Sequence, residues 1–475
     1  MIYTNVLFST HKYNKVMKAI ITNKLVVVQN PTNEILRLFQ EVCAYTDKQK
    51  QFQVKRMERN PFQKNSPYLS KLRKEVDCSL LKTMSGGHIA FNSGLSFHLP
   101  DIEITDRRQE TGETMALPWK KKPHDPREYQ EEAINIAMNS WRGVINFATG
   151  LGKTLTALHL LKRLKRKALV VVPSESIANQ FYKELSDAFG DNNVGYFGGG
   201  KKKIKFITVG IAASIINNLD KFKQENLGVI IFDEVHHIAA NTFYDISIAL
   251  GDVGRIYGLT ATDFRSDGKD IMISAGCGPV IVRRDIKWGI DNGFLAKPKF
   301  IITQVDTEGP DFQNDKLKNY KAHILNNDKM KNQIRSDIEK YMAEGKSVLC
   351  LVGEVAHGEE LSKDLGIPFA QGKDRESQRY VDELNSGKIK GLIGTGGKVG
   401  EGTDTKRVDV LILANFMASK GPVIQAIGRG LRLYGDKTHC IIKDYVPKGS
   451  SMLSRHAKGR FVLYRSITDD VHLEN

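Results

Sequence analysis

The apolar run Gly143–Phe147 leads directly into A-T-G-L-G-K-T and then into T-A-L-H-L-L-K-R-L, so that a strand, a glycine-rich turn and a helix follow one another without a gap. A turn of this kind presents backbone N–H groups and a helix N-terminus to phosphate. Gly150 and Gly152 permit the tight turn, Thr149 and Leu151 add backbone to the cradle, Lys153 has the reach for β- and γ-phosphates, and the Thr154 hydroxyl suits Mg²⁺. ATP with Mg²⁺ is therefore the expected ligand. The strict pattern places a glycine where Phe147 stands, but G-x-G-K-T is intact.

About eighty residues on, V-I-I-F-D-E-V-H-H is an apolar run ending on two carboxylates. Asp233 is suited to hold Mg²⁺ through its hydration shell and Glu234 to orient and deprotonate an attacking water, because phosphoryl transfer is chiefly positioning and charge stabilisation. Together with the glycine turn, this predicts a nucleotide hydrolase. His236 and His237 lack partners at ligand spacing, so His236 reads as a polar contact to a second lobe rather than a metal ligand. Around these motifs, Val- and Ile-rich runs (Gly143–Phe147, Ala168–Val172, Ile204–Val209, Gly228–Phe232, Gly254–Leu259) alternate with helical segments, the rhythm of buried parallel strands. The rhythm pauses at W-G-I-D-N-G-F-L-A-K-P, a crossing between lobes, and resumes at Lys346–Leu351, Gly391–Gly394 and Val408–Leu413.

Residues 1–118 read differently. Two hairpins are expected, around Lys18–Gln29 and His88–His98. Between Lys48 and Lys74 there are nine basic residues against one acid, Glu58, with Phe52, Phe62 and Tyr68 interleaved. That composition suits phosphate contact and base stacking, with Lys55, Arg56 and Arg59 as candidate contacts. A solvated helix face would produce the same run. Thr105–Pro126 is polar and breaker-rich and reads as a linker. The chain carries 70 Lys+Arg against 54 Asp+Glu, a net charge of +16, which favours a polyanionic partner. No run approaches the roughly 18 apolar residues of a membrane span, and the first residues lack a leader pattern. The five cysteines are scattered with no C-x-x-C pair, so no structural zinc is expected and a reducing, cytoplasmic setting fits.

In this order the motifs resemble those of the superfamily 2 helicases and translocases of the DExH type, over about Pro126–Tyr445. The resemblance implies an α/β fold with two tandem RecA-like parallel-sheet lobes of a P-loop NTPase, preceded by a small α+β amino-terminal domain. The implied division is 1–118 (basic, DNA-binding), 119–293 (first lobe, ATP-binding), 294–446 (second lobe) and 447–475 (carboxy-terminal tail). P-R-E-Y-Q matches the family's Q motif, implying that Gln130 reads the adenine edge while Arg127 and Tyr129 shape the pocket. V-V-V-P-S-E-S and T-V-G-I-A-A-S resemble the segments that touch the backbone of the tracked strand, through Pro173, Ser174, Gly210 and Ser214. G-L-T-A-T implies that Thr260 and Thr262 couple hydrolysis to movement.

In the second lobe, I-G-T-G-G-K-V-G-E-G-T-D-T is similar to the family's motif V, which puts Thr395 near nucleic acid and Gly402 and Asp404 near the ribose. Q-A-I-G-R-G-L-R implies Arg429 and Arg432 at the γ-phosphate and Gln425 at the attacking water or phosphate. A guanidinium fork supplied only on cleft closure would link hydrolysis to lobe movement on physical grounds alone. The overall plan resembles the phage UvsW-like branched-DNA helicases. It implies a monomeric, ATP-dependent 3′–5′ motor that unwinds or branch-migrates forked and four-way DNA in recombination, replication or repair, in the host cytoplasm for a phage-encoded chain. The alternatives are an RNA helicase and the motor subunit of a restriction-type nuclease. The latter needs an acidic cluster that the scattered Glu75, Asp77 and Asp101 do not supply.

Overall fold

A computed structural model of the chain describes residues 17–235, 240–261, 270–313, 315–372, 376–396, 405–418 and 420–474. Three large sheets and the small two-stranded pair of Ala44–Thr46 with Asp77–Ser79 organise them. The amino-terminal sheet runs in the order Lys82–Thr83, Ile89–Asn92, Leu25–Gln29, Lys18–Ile21, Glu103–Asp106. The expected hairpin Lys18–Gln29 forms, with Lys18 opposite Gln29 and Ile21 opposite Val26. Its alternating side chains bury Ala19, Ile21, Val26 and Val28 beside Phe39 and Phe91. The second expected hairpin does not form. Ile89–Asn92 pairs with Leu25–Gln29 and then passes into the short 3₁₀ segment Ser93–His98. Both edges of Ile89–Asn92 are already taken, by Leu25–Gln29 and by Lys82–Thr83, and Gly94 just beyond lies against the first lobe, where a Cβ would sit 2.3 Å from Ser274 O.

The basic run folds as two helices, Lys48–Glu58 and Pro67–Lys74, capped by Asp47 and Ser66 and packed on a small core of Val54, Leu69 and Leu72. The segment expected as a linker begins with the strand Glu103–Asp106 and is then irregular but firmly attached to the first lobe. Leu117 is buried and Trp119 stacks on Phe189 at 4.8 Å, while Thr111 Oγ1 donates to Leu227 O. Its breaker residues exclude a ladder, yet its few apolar side chains find the lobe's surface.

The first lobe carries eight strands in the order Lys201–Lys203, Val194–Gly198, Ile207–Ile211, Ala168–Val172, Val229–Phe232, Arg255–Thr260, Arg142–Phe147, Val280–Arg284. Only the outermost, Lys201–Lys203, is antiparallel to its neighbour. The central strands are buried nearly throughout, as a parallel sheet with helices on both faces requires. The second lobe is a seven-stranded, wholly parallel sheet in the order Phe369–Ala370, Gly391–Thr395, Val348–Val352, Val410–Ala414, His439–Pro447, Lys297–Val305, Val471–Glu474.

The segment after residue 446 is therefore not a loose tail. Helix Ser451–Ile467 covers the sheet and Val471–Glu474 adds its edge strand beside Lys297–Val305. The anchors are tertiary. Arg460 makes a two-pronged pair with Asp444 at 2.7 and 2.9 Å, both side chains nearly inaccessible, and Tyr464 donates to the same carboxylate at 2.8 Å. Lys443, also buried, reaches Glu474 at 2.7 Å. Removing one member of a buried pair leaves a charge without hydration. Arg460→Ala should thus cost about 3–5 kcal/mol in urea unfolding; an unchanged midpoint would show that this segment does not hold the second lobe.

Candidate nucleotide site between the lobes

The turn after strand Arg142–Phe147 contains two left-handed glycines, Gly150 (φ +94°) and Gly152 (φ +79°), the second capping helix Lys153–Leu164. Two side chains brace the loop from below. Tyr129 Oη donates to Leu151 O at 2.8 Å and Gln130 Nε2 donates to the same oxygen at 2.9 Å, while Gln130 Oε1 accepts from the Arg127 N–H at 2.9 Å. Both side chains are buried. Gln130, expected to read the adenine edge, has both ends of its amide engaged by the chain's own backbone, with a second N–H and a second lone pair left over. Tyr129 likewise packs inward, against Phe147, Trp288 and Phe294 at 5.4, 5.0 and 4.7 Å. Arg127 does face the cleft, with its guanidinium 5.1 Å from the Phe294 ring centre.

Lys153 Nζ lies 3.3 Å from Glu234 Oε1 and 3.4 Å from Phe147 O. Glu234 follows the buried strand Val229–Phe232 and adopts φ +45°, an unusual backbone for a side chain of that size. This bend lets the consecutive carboxylates of Asp233 and Glu234 line one cleft. Burial, and then the neighbouring charge of Glu234, push Asp233 up to about 8. A carboxyl so placed gains most from a cation beside it.

The opposite wall comes from the second lobe. On helix Lys420–Gly430, Gln425 and Arg429 are one turn apart and face the cleft, with Arg432 just beyond the helix end. The approach is close. A Cβ on Gly428 would stand 2.8 Å from Thr149 Cβ, and one on Gly150 would stand 3.3 Å from Arg432 Cγ. The cleft between the lobes has a volume of 340 Å³ and also meets Thr154.

Several lining residues had no motif to mark them: Phe294 from the crossing segment, Glu184 from helix Glu175–Phe189, and Lys406 and Leu433 from the second lobe. A stacked aromatic pair in W-G-I-D-N-G-F, Trp288 with Phe294 at 5.4 Å, is the nearest thing to a sequence signal for Phe294.

Outside the cleft, Pro173 and Ser174 follow strand Ala168–Val172, and Gly210 and Ser214 sit at the end of the adjacent strand Ile207–Ile211, so all four gather at the same carboxyl edge of the sheet. Thr395 ends strand Gly391–Thr395 and is half-buried. Thr260, buried, ends strand Arg255–Thr260. Lys55, Arg56 and Arg59 are exposed on the amino-terminal helices, away from the cleft lining. His236, Thr262, Gly402 and Asp404 lie outside the described residues.

The bracing role of Gln130 makes a measurable difference. Gln130→Ala should weaken ATP and GTP binding by equal factors, because it loosens the phosphate loop rather than a base contact. A loss confined to ATP in fluorescence titration would restore the adenine-reading role.

Residues 123–265 match the family "Type III restriction enzyme, res subunit". Among curated relatives, the DNA 3'-5' translocase XPB2 of Sulfurisphaera tokodaii is 32% identical over 191 residues, 39% of this chain and 42% of that one. The chain spans about half the length of the first curated relatives it matches, 55% and 52%. Among solved structures, Saccharomyces cerevisiae Dbp5 bound to RNA and ADP BeF3 covers 74% of this chain and 89% of its own, at 14% identity and a TM-score of 0.54, a likeness of RecA-like fold. T4 UvsW aligns over 97% of this chain and 99% of its own, at 17% identity and a TM-score of 0.44. With its ordered motifs, its two parallel-sheet lobes and the cleft they share, the chain is similar to these helicases and translocases and has their RecA-like two-lobed fold.

Proposed function

We propose that the chain is an ATP-hydrolysing DNA motor, a helicase or translocase working on forked or junction DNA. One observation carries the reading: Lys153, Asp233 and Glu234 from one lobe and Gln425, Arg429 and Arg432 from the other line a single cleft. Lys153 offsets the charge of the β- and γ-phosphates, and the glycine turn orients them through its N–H groups. Glu234 accepts the proton of the attacking water, which Gln425 helps to place. Arg429 and Arg432 meet the charge that grows on the transferred group. The donor set fits Mg²⁺, since the Thr154 hydroxyl and the buried, cation-favouring Asp233 share the cleft, and the ion when bound would neutralise phosphate charge.

Because the guanidiniums come from the second lobe, nucleotide binding favours closure and product loss favours opening. Alternating grip on a phosphate backbone then becomes movement. Pro173, Ser174, Gly210, Ser214 and Thr395 are the proposed strand contacts, and Thr260 the described link between hydrolysis and motion.

DNA as the track is supported by the net charge of +16 and by the similarity to XPB2, a DNA 3'-5' translocase. The grip on branched structures is assigned to residues 1–118. There, Phe52, Phe62 and Tyr68 stand 69%, 96% and 58% exposed among Lys55, Arg56, Arg59 and Lys71, a surface able to hold backbone and stack bases.

Lys153→Ala should lower ATP turnover by about 100- to 1000-fold, and Glu234→Gln should bind ATP while turning it over little. Normal turnover in the first variant would mean the site is misassigned. The decisive assay is ATP-driven strand separation on a tailed duplex, a fork, a four-way junction and an RNA:DNA hybrid. Preference for forks and junctions supports the reading. Activity on RNA duplexes alone would make the chain an RNA helicase, and hydrolysis without separation a duplex translocase.

A further inference from the structure

The first-lobe sheet ends in a hairpin that the nucleotide chemistry does not use. Strand Val194–Gly198 turns through Gly198, Gly199 and Gly200, all with positive φ (+146°, +53° and +82°), and returns as Lys201–Lys203, three consecutive lysines that are all exposed. Gly198 pairs with Lys201, Phe197 with Lys202 and Tyr196 with Lys203.

The turn's position is determined by register. Phe197 lies beside Gly210, and Ile211 beside Val172, so the triglycine turn shares the carboxyl edge occupied by Pro173, Ser174 and Ser214. Side-chain packing agrees. A Cβ at Gly198 would lie 2.6 Å from Ile211 Cδ1, and one at Gly199 would lie 2.7 Å from Glu175 Oε1, the residue after Ser174. Glu175 thus closes the inner side of the turn. Gly200, whose Cβ position has nothing within 4 Å, faces open space.

The lysines are uncompensated. Among the described residues none of the three pairs with a carboxylate, and Lys201 Nζ rests 4.8 Å from the Tyr196 ring centre, which keeps its stem close to the strand without neutralising it. Lysines on an edge strand also discourage pairing with other chains. That role, however, would not require a side-chain-free turn beside the strand-contact edge.

We propose that Gly198–Lys203 is a phosphate clamp that extends the first lobe's contact with the DNA backbone outward from Pro173, Ser174 and Ser214. Gly200, open on its outer side, lets a sugar–phosphate chain approach the turn closely, and Lys201, Lys202 and Lys203 supply the charge. The contact is to backbone and carries no base preference. This inference rests on the DNA-motor reading.

The test is fluorescence-anisotropy binding of the full chain to a labelled 3′-tailed duplex over a range of salt concentrations. It compares wild type, the triple variant Lys201→Gln, Lys202→Gln, Lys203→Gln, and a charge-retaining triple Lys→Arg variant. Counterion release at about 0.7–0.9 per phosphate contact predicts that the slope of log affinity against log salt becomes shallower by about 2–3 in the Gln variant and is retained in the Arg variant. Equal slopes and affinities in all three would overturn the clamp while leaving the motor reading standing. The same holds for a Gln variant that self-associates but binds DNA as wild type does, since the lysines would then only guard an edge. Wild-type protein that bound no DNA would overturn both.

Discussion

One helix of the second lobe can only approach the phosphate loop of the first because a residue between them has no side chain. Gly428 sits against Thr149 with no space for a Cβ, and Gly150 on the other side is similarly close to Arg432. Gln425 and Arg429 are carried on the same helix, so any residue that pushed it outward would withdraw the second lobe's donors together. Electrostatic stabilisation falls steeply when donors are misplaced. The tolerance at Gly428 therefore governs whether two sheets make one site.

The rest of the architecture keeps the loop in place for that encounter. Tyr129 and Gln130 hold the carbonyl of Leu151 from below, and Leu295 of the crossing segment lies against both Gly150 and Gly289. The crossing is thus more than a tether: its aromatic residues stack beneath the loop they connect away from. The amino-terminal unit is fastened to the same lobe. The Arg142 guanidinium donates to the carbonyls of Asn23, Gly251 and Gly276, and Tyr244 Oη donates to Asn92 Oδ1 at 2.7 Å. Loss of hydration pulls Arg142 down to about 10, still charged at neutral pH. The exposed basic and aromatic helices and the lysine hairpin consequently belong to the same lobe and the unit fastened to it.

Much of this was legible in residues 126–445. Parallel strands buried on both faces read as continuous apolar runs, so several core strands of both lobes show in the sequence within a few residues, whereas Lys297–Val305 and His439–Pro447, whose runs are interrupted by Lys, Pro and Asp, do not. Exceptions have physical causes. Val194–Gly198 and Val280–Arg284 carry glycine or charge that breaks the run, and the expected Ile204–Val209 forms as Ile207–Ile211. The amino-terminal unit was less legible because its strands pair with segments distant in sequence, Ile89–Asn92 with Leu25–Gln29 and Lys18–Ile21 with Glu103–Asp106. The carboxy-terminal segment looked featureless because its attachment is through Arg460, Lys443 and Glu474, polar residues whose burial no local pattern shows.

The sequence by itself determined the phosphate turn, the paired carboxylates and the arginine-bearing helix. Each is a short-range pattern in which the chemistry needs that residue type at that spacing, and folding only has to present it. Tertiary structure decided everything that depends on two distant segments touching. It engaged Gln130 with the loop's backbone, brought Phe294, Glu184 and Leu433 to the cleft, and set the lysine hairpin beside the strand-contact edge. Such placements follow from register and close packing between elements, which depend on the volume and hydrogen bonding of both partners and leave no mark in either segment alone.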